Sequence, residues 1–160
     1  MSAAAEPMGS RAGTGAIASA TCTTRVEWVD TDASGHHHNT AVIRWVEECE
    51  ARMFRDLGLL EHVAQAPRVR LEVNFRAPLH FGQEITTELR LERLGERSMS
   101  FSFRVWGGVR DEEPGGAPPR PAADGLLVTA CVPPGATVAA PWPEHLRRTL
   151  LAAGGTPPAP

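Results

Sequence analysis

Lysine and tyrosine are absent from this 160-residue chain, and all sixteen basic residues are arginine. A lysine Schiff base and a tyrosine acid are therefore excluded from any mechanism. The arginine-only usage reads as codon bias in a GC-rich genome rather than as function. Positive charge is not in excess either: the formal net charge is -3, so the electrostatic footprint of a nucleic-acid binder is missing. Cysteine is scarce. Cys22, Cys49 and Cys131 are odd in number and widely spaced, matching neither a disulfide framework nor a zinc pattern. No stretch approaches the roughly 20 apolar residues of a membrane helix. Met1 to Ala20 lacks the basic start and apolar centre of a secretory signal. The expectation is a reduced, cytoplasmic protein that meets neither nucleic acid nor membrane.

What is present is ordinary for a globular domain: 42% apolar and 22% charged residues, in a length that buries one core. Residues 1–20 are Ala/Gly/Ser-rich and read as a disordered tail. Residues 21–152 read as a single domain and residues 153–160 as a second tail. Within the domain, 110–123 is rich in Gly, Pro and charge, which predicts a mobile loop.

Thr21 to Val29 alternates Val26 and Trp28 against Arg25 and Glu27, as a first strand does. From Ala41 to Leu57 the period changes to 3.6. Val42, Val46, Cys49, Met53 and Leu57 form an apolar stripe that Trp45 and Phe54 widen, with Asn39 and Thr40 as expected N-caps and Gly58 as the stop. Arg68 to Arg76 alternates with Val69, Leu71, Val73 and Phe75 on the inward face. Glu84 to Arg93 does the same with Ile85, Thr87, Leu89 and Leu91, and Ser98 to Val105 with Met99, Phe101, Phe103 and Val105. Leu126 to Val132, apolar on both faces, predicts a central or interface strand. Pro141 to Leu150 predicts a short C-terminal helix. One long helix with about five antiparallel strands is an α+β layer arrangement, and its sheet edge favours pairing with a second copy as a homodimer or homotetramer.

The chemistry concentrates between the first strand and the helix. Asp30-Thr31-Asp32-Ala33-Ser34-Gly35-His36-His37-His38-Asn39 holds two carboxylates, three imidazoles and an amide. Loops on a rigid scaffold are where chemistry is placed. Asp32 is a candidate base or nucleophile, but Asp also caps turns through its own backbone. Asp30 reads as structural. The three consecutive histidines point in different directions and are poorly suited to one metal ion. His36 is better read as a neighbour that tunes Asp32 or aids substrate binding. Glu47 and Glu48 read as a solvated helix face, one of which can face the site across a dimer, and Cys49 as core. Arg68, Arg70, Arg76 and Arg97 are either solvated strand faces or phosphate contacts.

Asp-x-Asp-x-x-Gly-His-x-x-Asn, followed by a helix ending Leu57-Gly58-Leu59, resembles the hot-dog-fold thioesterases of the 4-hydroxybenzoyl-CoA thioesterase type. Ala77-Pro78-Leu79, Gly82-Gln83-Glu84-Ile85 and Pro141-x-Pro143-x-x-Leu146-Arg147 extend the likeness from about Thr24 to Leu150. The resemblance implies a sheet wrapped around one central helix. It also implies hydrolysis of an acyl thioester of coenzyme A or an acyl carrier protein. Asp32, His36 and Asn39 would be the catalytic set, with Gly35, His38, Thr40, Val42, Glu48 and Arg76 lining the substrate. Two positions depart from the family pattern: Val42, where an aromatic is common, and Glu50, where an arginine is common. Both bear on substrate choice. A thioester carbonyl needs one base or nucleophile and a donor for its oxygen, which N–H groups of the first helical turn around Asn39 to Ala41 can supply without any metal or cofactor. Two other readings stay open: a non-catalytic hot-dog module that binds an acyl thioester, and a hot-dog hydratase or dehydratase.

Overall fold

The computed structural model describes residues 15–108 and 120–154. In chain order these form β1 (Ala18–Arg25), a 3-10 turn (Trp28–Asp30), α1 (Asn39–Asp56), a second 3-10 segment (Leu60–Gln65), β2 (Arg68–Phe75), β3 (Glu84–Leu94), β4 (Ser98–Gly107), β5 (Arg120–Ala130) and α2 (Glu144–Ala153). The strands make one antiparallel sheet in the order β1-β3-β4-β5-β2. This is the α+β arrangement that the hot-dog resemblance implies. Among the described residues, no helix is long and apolar enough to cross a membrane.

Periodicity located the core well. Val42, Trp45, Val46, Cys49, Met53 and Phe54 of α1 are buried. They meet the inward faces of β3 (Ile85, Thr87, Leu89, Leu91) and β4 (Met99, Phe101, Phe103, Val105), all of which are buried as expected. Each large apolar side chain so placed contributes about 1.5–3 kcal/mol relative to exposure. Gly58 follows the last turn of α1 with φ +70, a left-handed conformation that suits glycine at a helix stop.

Several boundaries differ from the sequence expectation. β1 begins at Ala18, inside the expected tail, because β3 is long enough to pair Ala18, Ser19 and Ala20 with Leu91, Arg90 and Leu89. It stops at Arg25, since residues 28–30 coil under the Asp30 side chain. β5 begins at Arg120 rather than Leu126. Residues 120–123 of the expected loop therefore belong to the sheet, with Pro121 sitting at a register shift opposite Val105 and Trp106. Residues 110–119 of that loop, and 1–14 of the expected tail, lie outside the described residues. α2 begins at Glu144, after both prolines.

The largest departure is β2. Val69, Leu71 and Phe75, expected inward, are 60%, 40% and 48% exposed. β2 is an edge strand hydrogen-bonded only to β5, while α1 packs along β1 and β3 at the other side of the sheet. Alternation in the sequence records that a face is apolar, not what covers it.

Candidate active site

Backbone pairing folds the acidic loop into a narrow turn. Thr31 bridges His37, the Asp32 N–H donates to the His36 carbonyl (3.0 Å), and the Gly35 N–H donates to the Asp32 carbonyl (3.0 Å). Gly35 has φ +78, which a side chain rarely tolerates and which closes the turn. Asp30 lies beneath, 4% exposed. Its carboxylate accepts from the Glu27 N–H (2.8 Å) and pairs with Arg44 of α1. The structural reading of Asp30 thus acquires its cause: it ties the loop to the helix.

Asp32 sits at the tip, exposed to solvent. Its Oδ1 accepts from both the Ser34 N–H (2.8 Å) and the Ser34 hydroxyl. Those two bonds, the hydroxyl's first, hold the Asp32 carboxyl below the usual carboxylate range, and His36 adds a smaller electrostatic pull. The group is a carboxylate at neutral pH, with Oδ2 open to water or substrate. His36 is exposed and stacks edge-on against His80 (centroids 5.0 Å apart), whose backbone it also bridges.

The helix start is capped by His38, not by Asn39 or Thr40. The His38 Nδ1 accepts from the Thr40 N–H (3.2 Å) and lies 2.8 Å from the Thr40 hydroxyl, and the His38 carbonyl takes the Ala41 N–H (2.8 Å). An imidazole nitrogen thus does the work expected of an Asn or Thr oxygen. Of the three N–H groups expected to polarise a carbonyl, those of Thr40 and Ala41 are occupied. The Asn39 N–H has no acceptor among the described residues.

The structure brings Asp32, Gly35, His36, His38, Asn39 and Thr40 into one turn-and-cap unit. The other expected substrate contacts are placed differently. Val42 is fully buried. Glu48 is exposed and lies about 13 Å farther along α1 by helical rise, beside an open groove of about 320 Å³ lined by Cys22, Trp45, Arg52 and Thr87. Arg76 is held at the end of β2 by both Asp124 oxygens, its Nη2 donating to Oδ1 at 3.1 Å. Arg68 pairs with Glu50 and Glu47 and so belongs to the core's rim. Arg97 opens β4, at the opposite end of eleven-residue β3, on the order of 30 Å from the Asp32 turn by strand rise.

Two residues to which the sequence reading gave no role in holding the loop carry it. His37 is buried, accepts from the Leu79 N–H at Nδ1 (3.1 Å) and donates its own N–H to the Leu79 carbonyl (2.8 Å). Burial, then the nearby His36, lowers its pKa, so it is a neutral ring with its proton on Nε2. Leu79 itself is 1% exposed and sits in the Pro/Gly break before β3. No local pattern flagged the pair, because the contact joins residues 42 positions apart.

A family model described as the thioesterase-like superfamily matches residues 26–150. Among curated proteins, a 1,4-dihydroxy-2-naphthoyl-CoA hydrolase from Prochlorococcus marinus (strain MIT 9303) is 29% identical over 91 residues, 49% of this chain and 60% of that relative. The chain therefore spans about 60% of the length of the curated relatives it matches. Among solved structures, a thioesterase from Thermus thermophilus, complexed with coenzyme A and Zn, aligns with TM-score 0.71 and 26% identity over 89% of this chain and 98% of that one. A 1,4-dihydroxy-2-naphthoyl-CoA thioesterase from Synechocystis shares the fold with TM-score 0.71 at 17% identity, over 87% of this chain and 99% of that one. The match across most of the chain and the shared architecture establish that this protein is a hot-dog-fold member of the thioesterase-like superfamily.

Proposed function

We propose that the chain hydrolyses an acyl thioester of coenzyme A or an acyl carrier protein to the free acid and thiol. The observation that carries this reading is the Asp32 carboxylate, kept ionised by Ser34 on a tight turn at the mouth of α1 in a chain of this superfamily. In one route Asp32 takes a proton from water, whose oxygen adds to the carbonyl carbon; the adduct then collapses with cleavage of the C–S bond, and the departing thiolate regains the proton. In the other the Asp32 oxygen attacks that carbon, the C–S bond breaks with release of thiolate, and water then cleaves the mixed anhydride. The carbonyl oxygen gathers negative charge in both routes. The Asn39 N–H, at the positive end of the α1 dipole, is the backbone donor available to it. His36 draws on Asp32 electrostatically and positions it. Gly35, His38 and Thr40 maintain the turn and cap against which the acyl group lies. Arg76 is a phosphate contact only if a phosphate displaces Asp124.

The acyl group in this reading is aromatic, by analogy with the naphthoyl-CoA hydrolases among the relatives. The same reading takes the active species as a homodimer or homotetramer in the cytoplasm. It is supported by the bare apolar face of β2, by exposed Trp28 and Phe81 packed edge-on 6.0 Å apart, and by three cysteines that are all free thiols.

The test is thiol release from a panel of aromatic and aliphatic acyl-CoAs, comparing the native chain with Asp32→Asn. Loss of the carboxylate is expected to cost about 10²- to 10⁴-fold in turnover with little change in melting temperature, since the amide oxygen still accepts from Ser34. Native-like turnover in the folded variant, or water addition to an enoyl group without thiol release, would overturn the assignment.

A further inference from the structure

The opposite end of the sheet from Asp32 holds a second cluster of chemistry-bearing side chains. Glu61 and His62 lie on the 3-10 segment after α1, and His145 lies on the first turn of α2. One ligand atom from each falls within 4.8 Å of the other two. The His62 and His145 Nε2 atoms face each other at 2.9 Å, and the Glu61 Oε1 is 3.4 Å from the His62 Nε2. His62 is 5% exposed, so one of the three ligands is fixed by packing, while the other two reach in from the surface. The Trp142 N–H donates to the Glu96 carbonyl and Arg147 to the Gly95 carbonyl, which anchors this end of α2 at the β3–β4 turn.

The two Nε2 atoms lie within hydrogen-bond distance of each other, and the Glu61 carboxylate oxygen stands beside them. Three groups that can each offer a lone pair, converging in this way, are arranged to receive a cation. A tetrahedral ion with bonds of about 2.0–2.1 Å separates its ligand atoms by about 3.4 Å. The Glu61–His62 spacing already matches; His62 and His145 need to part by a few tenths of an ångström, and the exposed Glu61 and His145, within 4.8 Å of each other, need to close together. Two imidazoles and a carboxylate suit Zn²⁺ and leave a fourth position for water. Ligation through Nε2 puts the His62 proton on Nδ1, which is buried without a partner, at some cost.

We propose that Glu61, His62 and His145 form a binding site for a divalent transition-metal ion, with Zn²⁺ the best fit, and that the ion clips α2 to the segment following α1. His62 and His145 are 83 positions apart, and α2 has Pro143 at its N-cap position, with no side-chain cap. A bond across that span restrains a long loop in the unfolded chain and steadies the start of the last helix. The role is structural and lies far from the thioester chemistry.

The full-length protein, stripped with chelator, is titrated with Zn²⁺ and with Co²⁺ while bound metal, melting temperature and the visible spectrum are followed. Expected are about one ion per chain, a melting temperature that rises with Zn²⁺, and tetrahedral Co²⁺ absorption. His145→Ala and Glu61→Gln, both at exposed positions and so compatible with folding, should each weaken uptake by at least about tenfold and remove the thermal shift. Thiol release by His145→Ala should equal that of the native chain. Absence of stoichiometric uptake would overturn the proposal. So would uptake that survives His145→Ala but is lost in His36→Ala.

Discussion

Glu50 offers a stability test whose sign and size both come from the structure. It sits on the apolar face of α1, 1% exposed, with Arg68 as its partner and Glu47 sharing that arginine at 3.5 Å. Burial pushes its pKa up from 4.5 to about 7, against the opposing pull of Arg68. A carboxyl raised in this way stabilises the fold fully below its unfolded pKa, and loses that contribution as pH climbs through the folded value. The gap between 4.5 and about 7 corresponds to about 3 kcal/mol at about 1.4 kcal/mol per tenfold change in proton affinity. The perturbation is Glu50→Gln, which keeps the shape and removes the titration. Urea unfolding at pH 5 and pH 8 gives the native-minus-variant difference. That difference should fall by up to about 3 kcal/mol from the acid to the alkaline condition, or roughly 6–12 °C in melting temperature. His37 and His62, whose pKa values burial lowers, change stability in the opposite direction over part of this range. They are present in both proteins and cancel in the difference. A difference that stays constant between pH 5 and pH 8 would show that Glu50 is not held in a raised state and refute the reasoning.

Two further outcomes can be checked directly. Asp30→Asn leaves the Glu27 bond but strips the charge facing Arg44, so it should lower stability by about 1.5–3 kcal/mol, the usual worth of a charge-assisted hydrogen bond. Chemical denaturation of that variant measures it, and an unchanged midpoint would mean the pair is idle. Leu71→Arg puts a charge on the bare face of β2 and should shift sedimentation toward the monomer. A native chain that is already monomeric and active at micromolar concentration would end the self-association reading.

The sequence by itself determined the alternation and the 3.6-residue period, because both are local. β3, β4 and the apolar stripe of α1 were therefore placed with their inward residues correct, and Gly58 ended the helix where its φ requires. The Asp32 turn was legible for a similar reason. Asp, Ser and Gly at close spacing build a turn from their own backbone and side chains. What the tertiary structure decided are matters of partnership across distance. His38 rather than Asn39 caps α1, because its imidazole happens to meet the Thr40 N–H. His37 pins the loop through Leu79, and Arg68 belongs to Glu50 rather than to solvent. β1 and β5 reach farther than their side chains suggest, since β3 and β4 continue beside them and backbone pairing needs no particular side chain. The apolar face of β2 was readable, but its exposure was not. Whether such a face is covered depends on where α1 crosses the sheet, and no stretch of β2 carries that information.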